Sequence, residues 1–219
     1  MNYYLQYCIN IFSLLLPFVY GVKRYPVLDP ASRMFCYITG ISFFGELIAL
    51  TSVLYYHTNL AVYNVIGICN LVLICLYFNK AIPVFAEYQI GKVLSVASVI
   101  VWLLSVYSLD SMHNSDTPYM FFEGGLTLGM TGFSMEHLLV KKSRSGIRLR
   151  SSPHFWFAWI LFAYWCISIS QWLLYRYFED LVQTHTWFSS MLLAVTVLVN
   201  LGFLMVFFWY PKMKHQDAS

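Results

Sequence analysis

From Trp187 to Tyr210 the chain runs without one charged side chain, a stretch long enough to cross the hydrocarbon of a bilayer as a helix. Six other runs of comparable length are nearly as apolar. Reading for about 20 predominantly apolar residues per helix predicts spans near 3–20, 34–56, 59–79, 93–109, 118–140, 154–176 and 187–210. The composition agrees: 59% hydrophobic residues, 11% charged residues and a mean hydropathy of +0.63 lie outside what a soluble domain carries. The expectation is one all-α polytopic membrane domain over residues 1–219, a seven-transmembrane-helix bundle.

The breaks between the runs carry turn and charge signals, YGVKRYPVLDPASR, NKAIPVFAEYQIGK and KKSRSGIRLRSSP among them. With seven spans, the loops at 21–33, 80–92 and 141–153 share a side with the tail at 211–219. Together they hold every Lys and Arg except Arg176. Basic loops stay in the cytoplasm, which places the N-terminus outside and the C-terminus inside. Shifting the count by one span would divide the basic set between the two faces. Met1 to Tyr20 has no basic segment ahead of its apolar part and no small-residue cleavage site, so it reads as a retained first span. All five cysteines fall in apolar runs, and no structural disulfide is expected.

Within these runs the polar residues are not scattered. Glu46 stands near the middle of the second span, where an ionised carboxylate costs at least a few kcal/mol on insertion scales; it must be neutral, paired or facing water. Ser42 and Thr39 lie on its helix face at steps of four and three. The fifth span aligns Glu123, Thr127, Thr131 and Ser134 in one stripe. The sixth aligns Tyr164, Ser168, Gln171 and Tyr175; the seventh offers Ser189, Thr196 and Asn200, and the third Asn70 beside Gly67. Stripes of this kind predict that spans two, three, five, six and seven surround a polar interior. The candidate ligand-binding set is Glu46, Asn70, Glu123, Thr127, Gln171 and Asn200, with Glu46 and Glu123 as the candidate catalytic acids if the chain is an enzyme. Gly124, Gly125, Gly129 and Gly132 are expected to be close-packing positions, Gly125 and Gly129 forming a GxxxG.

Every Lys and Arg lies in a loop, at a helix end or in the tail, so no buried cation neutralises either acid. The last span has no lysine for a retinal Schiff base. Histidines lack paired ligand spacing, and phosphate loops, nucleophile elbows and CxxC pairs are missing, so neither metal nor cofactor is expected. Nothing points to nucleic acid. The partners expected are the lipid bilayer, a small or lipophilic ligand, and a cytoplasmic signalling partner at the basic loop 141–150.

The segments LLLPFVYGVKRYPVLDPASR, ISFFGELIAL, YMFFEGGLTL, HFWFAWILFAYWCISIS and LLAVTVLVNLGFLMVFFW together resemble a group of small seven-span inner-membrane proteins of Bacteroidetes-type bacteria, to which no activity is assigned. The likeness covers nearly the whole chain and implies a bacterial inner (plasma) membrane protein. That group often carries a third-span carboxylate where this chain has Asn70. In architecture the chain is also similar to small seven-span membrane terpene cyclases, which place a catalytic glutamate in the second span. The cyclases pair it with an acid in the last span, where Asn200 stands here, and the motif around the glutamate is not reproduced.

Three functions stay open on these residues. The leading one is a receptor-like or sensory protein binding a small or lipophilic ligand in a polar intramembrane pocket. The others are an intramembrane enzyme on an isoprenoid or lipid, with Glu46 as general acid, and a small proton-coupled transporter.

Overall fold

The computed structural model describes residues 3–109, 117–145, 152–177 and 187–218. They form eight helices and, among the described residues, no strand. In chain order these are α1 (Tyr3–Arg24), α2 (Arg33–Tyr56), α3 (Leu60–Ala81), the short α4 (Pro83–Glu87), α5 (Ile90–Leu109), α6 (Thr117–Ser145), α7 (Pro153–Tyr177) and α8 (Trp187–Ala218). Each predicted span coincides with one long helix, the third beginning one residue early, at the Asn59 cap of α3. The sequence reading left 80–92 as a loop, where the structure has α4, started by Pro83 at a position that needs no amide hydrogen bond.

Among the described residues six helices are long and apolar enough to cross a membrane: α1, α2, α3, α5, α7 and α8. α6 has the length, 29 residues, but not the apolar composition. Its polar stripe, read from the sequence as a lining, is what lowers its hydropathy.

The long helices close into a ring. α1 packs on α2, α2 on α3, α3 on α5, α5 on α6, α6 on α7, α7 on α8, and α8 returns to α1, while α3 also reaches across to α6. Adjacent helices touch through small residues in places. A Cβ on Gly91 would sit 2.3 Å from the Cys75 carbonyl oxygen and 2.5 Å from Asn79 Cβ, so glycine lets the start of α5 lie directly on α3. Asn79 Oδ1 then accepts the Gly91 amide at 3.1 Å, supplying from α3 a cap for the first turn of α5.

The bundle's interior divides along its length. At the end bearing the basic loops, Phe35, Tyr77, Phe157 and Phe207 are fully buried. Phe35 stacks on Phe157 with centroids 4.0 Å apart, and Tyr77 meets Phe35 edge-on at 4.5 Å. Below this aromatic plug, Asp29 ties the α1–α2 turn to two distant helices. Its Oδ1 accepts the amides of Ala31 and Ser32 at 2.8 and 3.0 Å, and its Oδ2 accepts the Ser32 hydroxyl at 2.7 Å and the Tyr210 hydroxyl from α8. His154, at the start of α7, brings Nε2 to 3.7 Å from Oδ2, and its Nδ1 is 3.1 Å from the Tyr77 hydroxyl. Burial alone raises the Asp29 carboxyl, but His154 and the hydrogen bonds from Tyr210 and Ser32 outweigh it and hold the group below the usual carboxylate range.

At the same end Arg33 lies over the Tyr25 ring at 4.9 Å and Lys212 over Trp209 at 4.4 Å. The α1–α2 turn, the segment through α4 into α5 and the start of α7 thus meet at one face. Residues 146–150 of the basic loop, and the acidic loop residues Asp110, Asp116, Glu179 and Asp180, lie outside the described residues.

Candidate functional site

In the other half of the bundle, buried polar side chains stand among apolar ones such as Ile68 and Trp165. Glu46 and Glu123 are each 9% exposed, so both acids turn inward. Thr39, on the Glu46 face, is buried and donates to the Cys36 carbonyl at 3.0 Å, which confirms the inward side of α2. Glu46 is held by neighbours on both sides: the Tyr63 hydroxyl of α3 donates to its Oε2 at 3.0 Å, and Asn10 of α1 reaches it with its side chain. Tyr63 in turn contacts Tyr7, which accepts from Asn59 at the end of the bundle. Among the described residues no salt bridge reaches either acid.

Glu123 is differently placed. Its Oε2 rests against α3 at Gly67, where an added Cβ would lie 3.4 Å away, and among the described residues it has no hydrogen-bond partner. One turn along the same face, Thr127 is fully buried with its hydroxyl unpaired. On α7, Gln171 is 2% exposed and neither of its amide atoms has a partner. Buried polar groups are paired in all but a few cases, and each orphan costs about 1–3 kcal/mol. Thr127 and Gln171 place such groups on the packed pair α6 and α7.

The remaining predicted residues form two separate pairs. Asn70 of α3 donates to the Ser42 hydroxyl at 3.1 Å, leaving its own buried carbonyl oxygen unpaired. Asn200 donates to the Ser13 hydroxyl at 2.8 Å, and Ser13 donates onward to the Asn10 carbonyl at 2.8 Å. Asn200 therefore belongs to the α8–α1 contact and is joined to Glu46 only through Asn10. The first span was left out of the expected lining, yet α1 supplies Tyr7, Asn10 and Ser13. These were missed because an amide and a hydroxyl at steps of three, Asn10 and Ser13, are too few to read as a stripe, and tyrosines in a span read as interface anchors.

One packing expectation is corrected. Only Gly124 is a close contact, where a Cβ would meet Trp165 and Ile169 of α7 within 3 Å. At Gly125, Gly129 and Gly132 nothing lies within 4 Å. With about 100° per residue these three fall opposite the Glu123–Thr127–Thr131–Ser134 stripe, so the inward turn of that stripe sends them away from the bundle.

Among the described residues no three His, Cys, Asp or Glu side chains converge as metal ligands. No protein-family model matches the chain, and no curated protein or solved structure is similar to it.

Proposed function

We propose that this is a receptor-like seven-helix protein of a bacterial inner membrane, in which the buried polar side chains of α2, α3, α6 and α7 bind a small ligand carrying hydrogen-bond donors, cationic or hydroxylated, on a lipophilic body. α6 is the seventh crossing: it has the length to span, and its polar face is turned into the ring, where lipid does not meet it. The N-terminus is outside and the C-terminus cytoplasmic, following the gathering of Arg33, Lys80, Lys92 and Lys212 at one end. Output passes through the basic cytoplasmic loops, 141–150 foremost, to a separate partner.

The observation that carries this reading is the buried Glu123 carboxyl, which has on its own helix face the Thr127 hydroxyl and on the neighbouring α7 the Gln171 amide, both unpaired among the described residues. An intramembrane acid with no internal role in packing is a functional group by default. Purified protein in nanodiscs, screened by thermal shift against amines and polyols with apolar tails, tests it. A compound that stabilises the wild type but not Glu123→Gln or Gln171→Leu supports the site; one whose effect survives both substitutions removes it. Product formation lost in Glu46→Gln with binding retained turns the reading into an intramembrane enzyme. Proton-coupled uptake into proteoliposomes, lost in Glu46→Gln or Glu123→Gln, turns it into a transporter.

A further inference from the structure

At the basic end, beyond the aromatic plug, a cavity of about 630 Å3 opens outward among the α1–α2 turn, the end of α3, the start of α5 and the start of α7. Lys80 from the last turn of α3 and Lys92 from the first turn of α5 line it, together with Asp29, Asn79, Gln89 and His154. The two lysines are exposed, and among the described residues neither has an ion-pair partner. Gln89, on the rim, is held at a φ of 53°, a left-handed conformation unusual for glutamine that turns the chain from α4 into α5, whose first turn carries Lys92 into the same lining as Lys80.

Asp29 is the one acid on this wall among the described residues. Its oxygens already accept two backbone amides and two hydroxyls and face His154, so its charge is met from within the turn and is not available to the lysines. The cavity therefore carries two uncompensated ammonium groups. Three bonded groups around Asp29 also fix the cavity floor, since they tie the α1–α2 turn, α7 and α8 into one unit. A concave, preformed site with paired cations and neutral amide donors matches a tetrahedral, multiply charged oxyanion. Its depth matters as well: Arg33 over Tyr25 and Lys212 over Trp209 stand at this same end, the aromatic and cationic level at which lipid headgroups lie.

We infer that this cavity binds a phosphate group between Lys80 and Lys92, as a second ligand site at the basic end of the bundle, apart from Glu46 at mid-depth. The phosphate is that of an anionic lipid headgroup or of a free phosphate ester, and the two sources are separable. The protein in phosphate-free maltoside is titrated in one arm with inorganic phosphate and in the other with short-chain phosphatidylglycerol, with short-chain phosphatidylcholine as the zwitterionic reference, and binding is followed by thermal shift and native mass spectrometry.

Wild type is expected to bind, and the Lys80→Gln/Lys92→Gln double variant to bind at least about tenfold more weakly, while Lys212→Gln, outside the cavity, is unchanged. Phosphatidylglycerol bound in preference to both phosphatidylcholine and inorganic phosphate identifies a lipid headgroup site; inorganic phosphate bound as well as the lipid identifies a site for soluble esters. Binding of both ligands that is equal in the double variant and the wild type overturns the inference, as does the absence of binding in either arm. Both lysines are exposed, and circular dichroism of the double variant confirms that the fold is retained. Ligand binding at Glu123 is independent of the outcome.

Discussion

The hydroxyl of Tyr63 on α3 donates to Glu46 Oε2 on α2 at 3.0 Å, so the carboxylate at the heart of the second span is secured from the next helix and not from its own. Tyr63→Phe removes that donor and leaves the acid to Asn10 alone. The substitution is expected to destabilise the protein by about 1–3 kcal/mol, because a buried charged or acidic group loses a partner. In Glu46→Gln the same Tyr63→Phe change costs less. A double-mutant cycle read by denaturant unfolding in bicelles checks this; additive effects show that the two side chains do not interact energetically.

Acid weakens the basic end of the bundle. The Asp29 carboxyl is held below its usual range in the folded protein, so the unfolded chain takes up its proton first as pH falls. The stability that Asp29 contributes is complete above the unfolded value, about 4, and is lost as pH drops through the lower folded value. Melting temperatures from pH 7 down to pH 3 are expected to decline more steeply for the wild type than for Asp29→Asn, which starts lower and lacks that limb. Parallel curves contradict the linkage.

Glycines on α5 and α6 are expected to respond in opposite ways. Gly91→Ala drives a methyl into the Cys75 carbonyl at 2.3 Å, a backbone atom that cannot step aside, so α3 and α5 must separate. Overpacking of this kind costs about 1–3 kcal/mol or more. Gly129→Ala enters open space and gains up to about 1 kcal/mol of helix propensity. Folded yield and unfolding midpoint of the two variants, side by side, decide it.

Replacing the orphaned polar groups with apolar ones is expected to trade function for stability. Thr127→Val and Gln171→Leu remove buried polar atoms that have no partner, and each relieves about 1 kcal/mol in the ligand-free protein. Ligand-induced stabilisation falls at the same time. A loss of stability in both variants means that these side chains are paired after all in the native membrane.

The plug is built from fully buried, mutually stacked rings. Phe157 is fully buried, stacked on Phe35 and in contact with Phe203 and Phe207. Phe157→Ala is expected to cost about 3–5 kcal/mol, read as a lower midpoint of unfolding, whereas Phe12→Ala on the outer face of α1, where the ring is 67% exposed, is nearly neutral.

Helix positions were legible in the sequence because the bilayer sets a length and forbids charges within it, and the inward faces of α2 and α6 were legible because Thr39, Glu46, Glu123, Thr127, Thr131 and Ser134 repeat at helical spacing. What periodicity does not carry is which faces meet. Asn200 belongs to Ser13, not to Glu46 directly, and Asp29 to Tyr210; these are contacts between residues almost a full chain length apart. The short α4 escaped for another reason: five residues between a proline and a left-handed glutamine leave no room for a hydrophobic repeat. The GxxxG reading of α6 failed because small residues admit a neighbour but do not summon one, and the stripe of stronger polar groups had already fixed the rotation of the helix.

The seam between α1 and α8 has a consequence for biogenesis. Ser13 and Asn200, and likewise Asp29 and Tyr210, join the earliest helix and the turn after it to the latest. During synthesis α1 enters the membrane long before its partner exists, with Asn10 and Ser13 uncovered on the flank that α8 will occupy. The ring of described helices cannot close until α8 has been made, so α8 acts as its keystone.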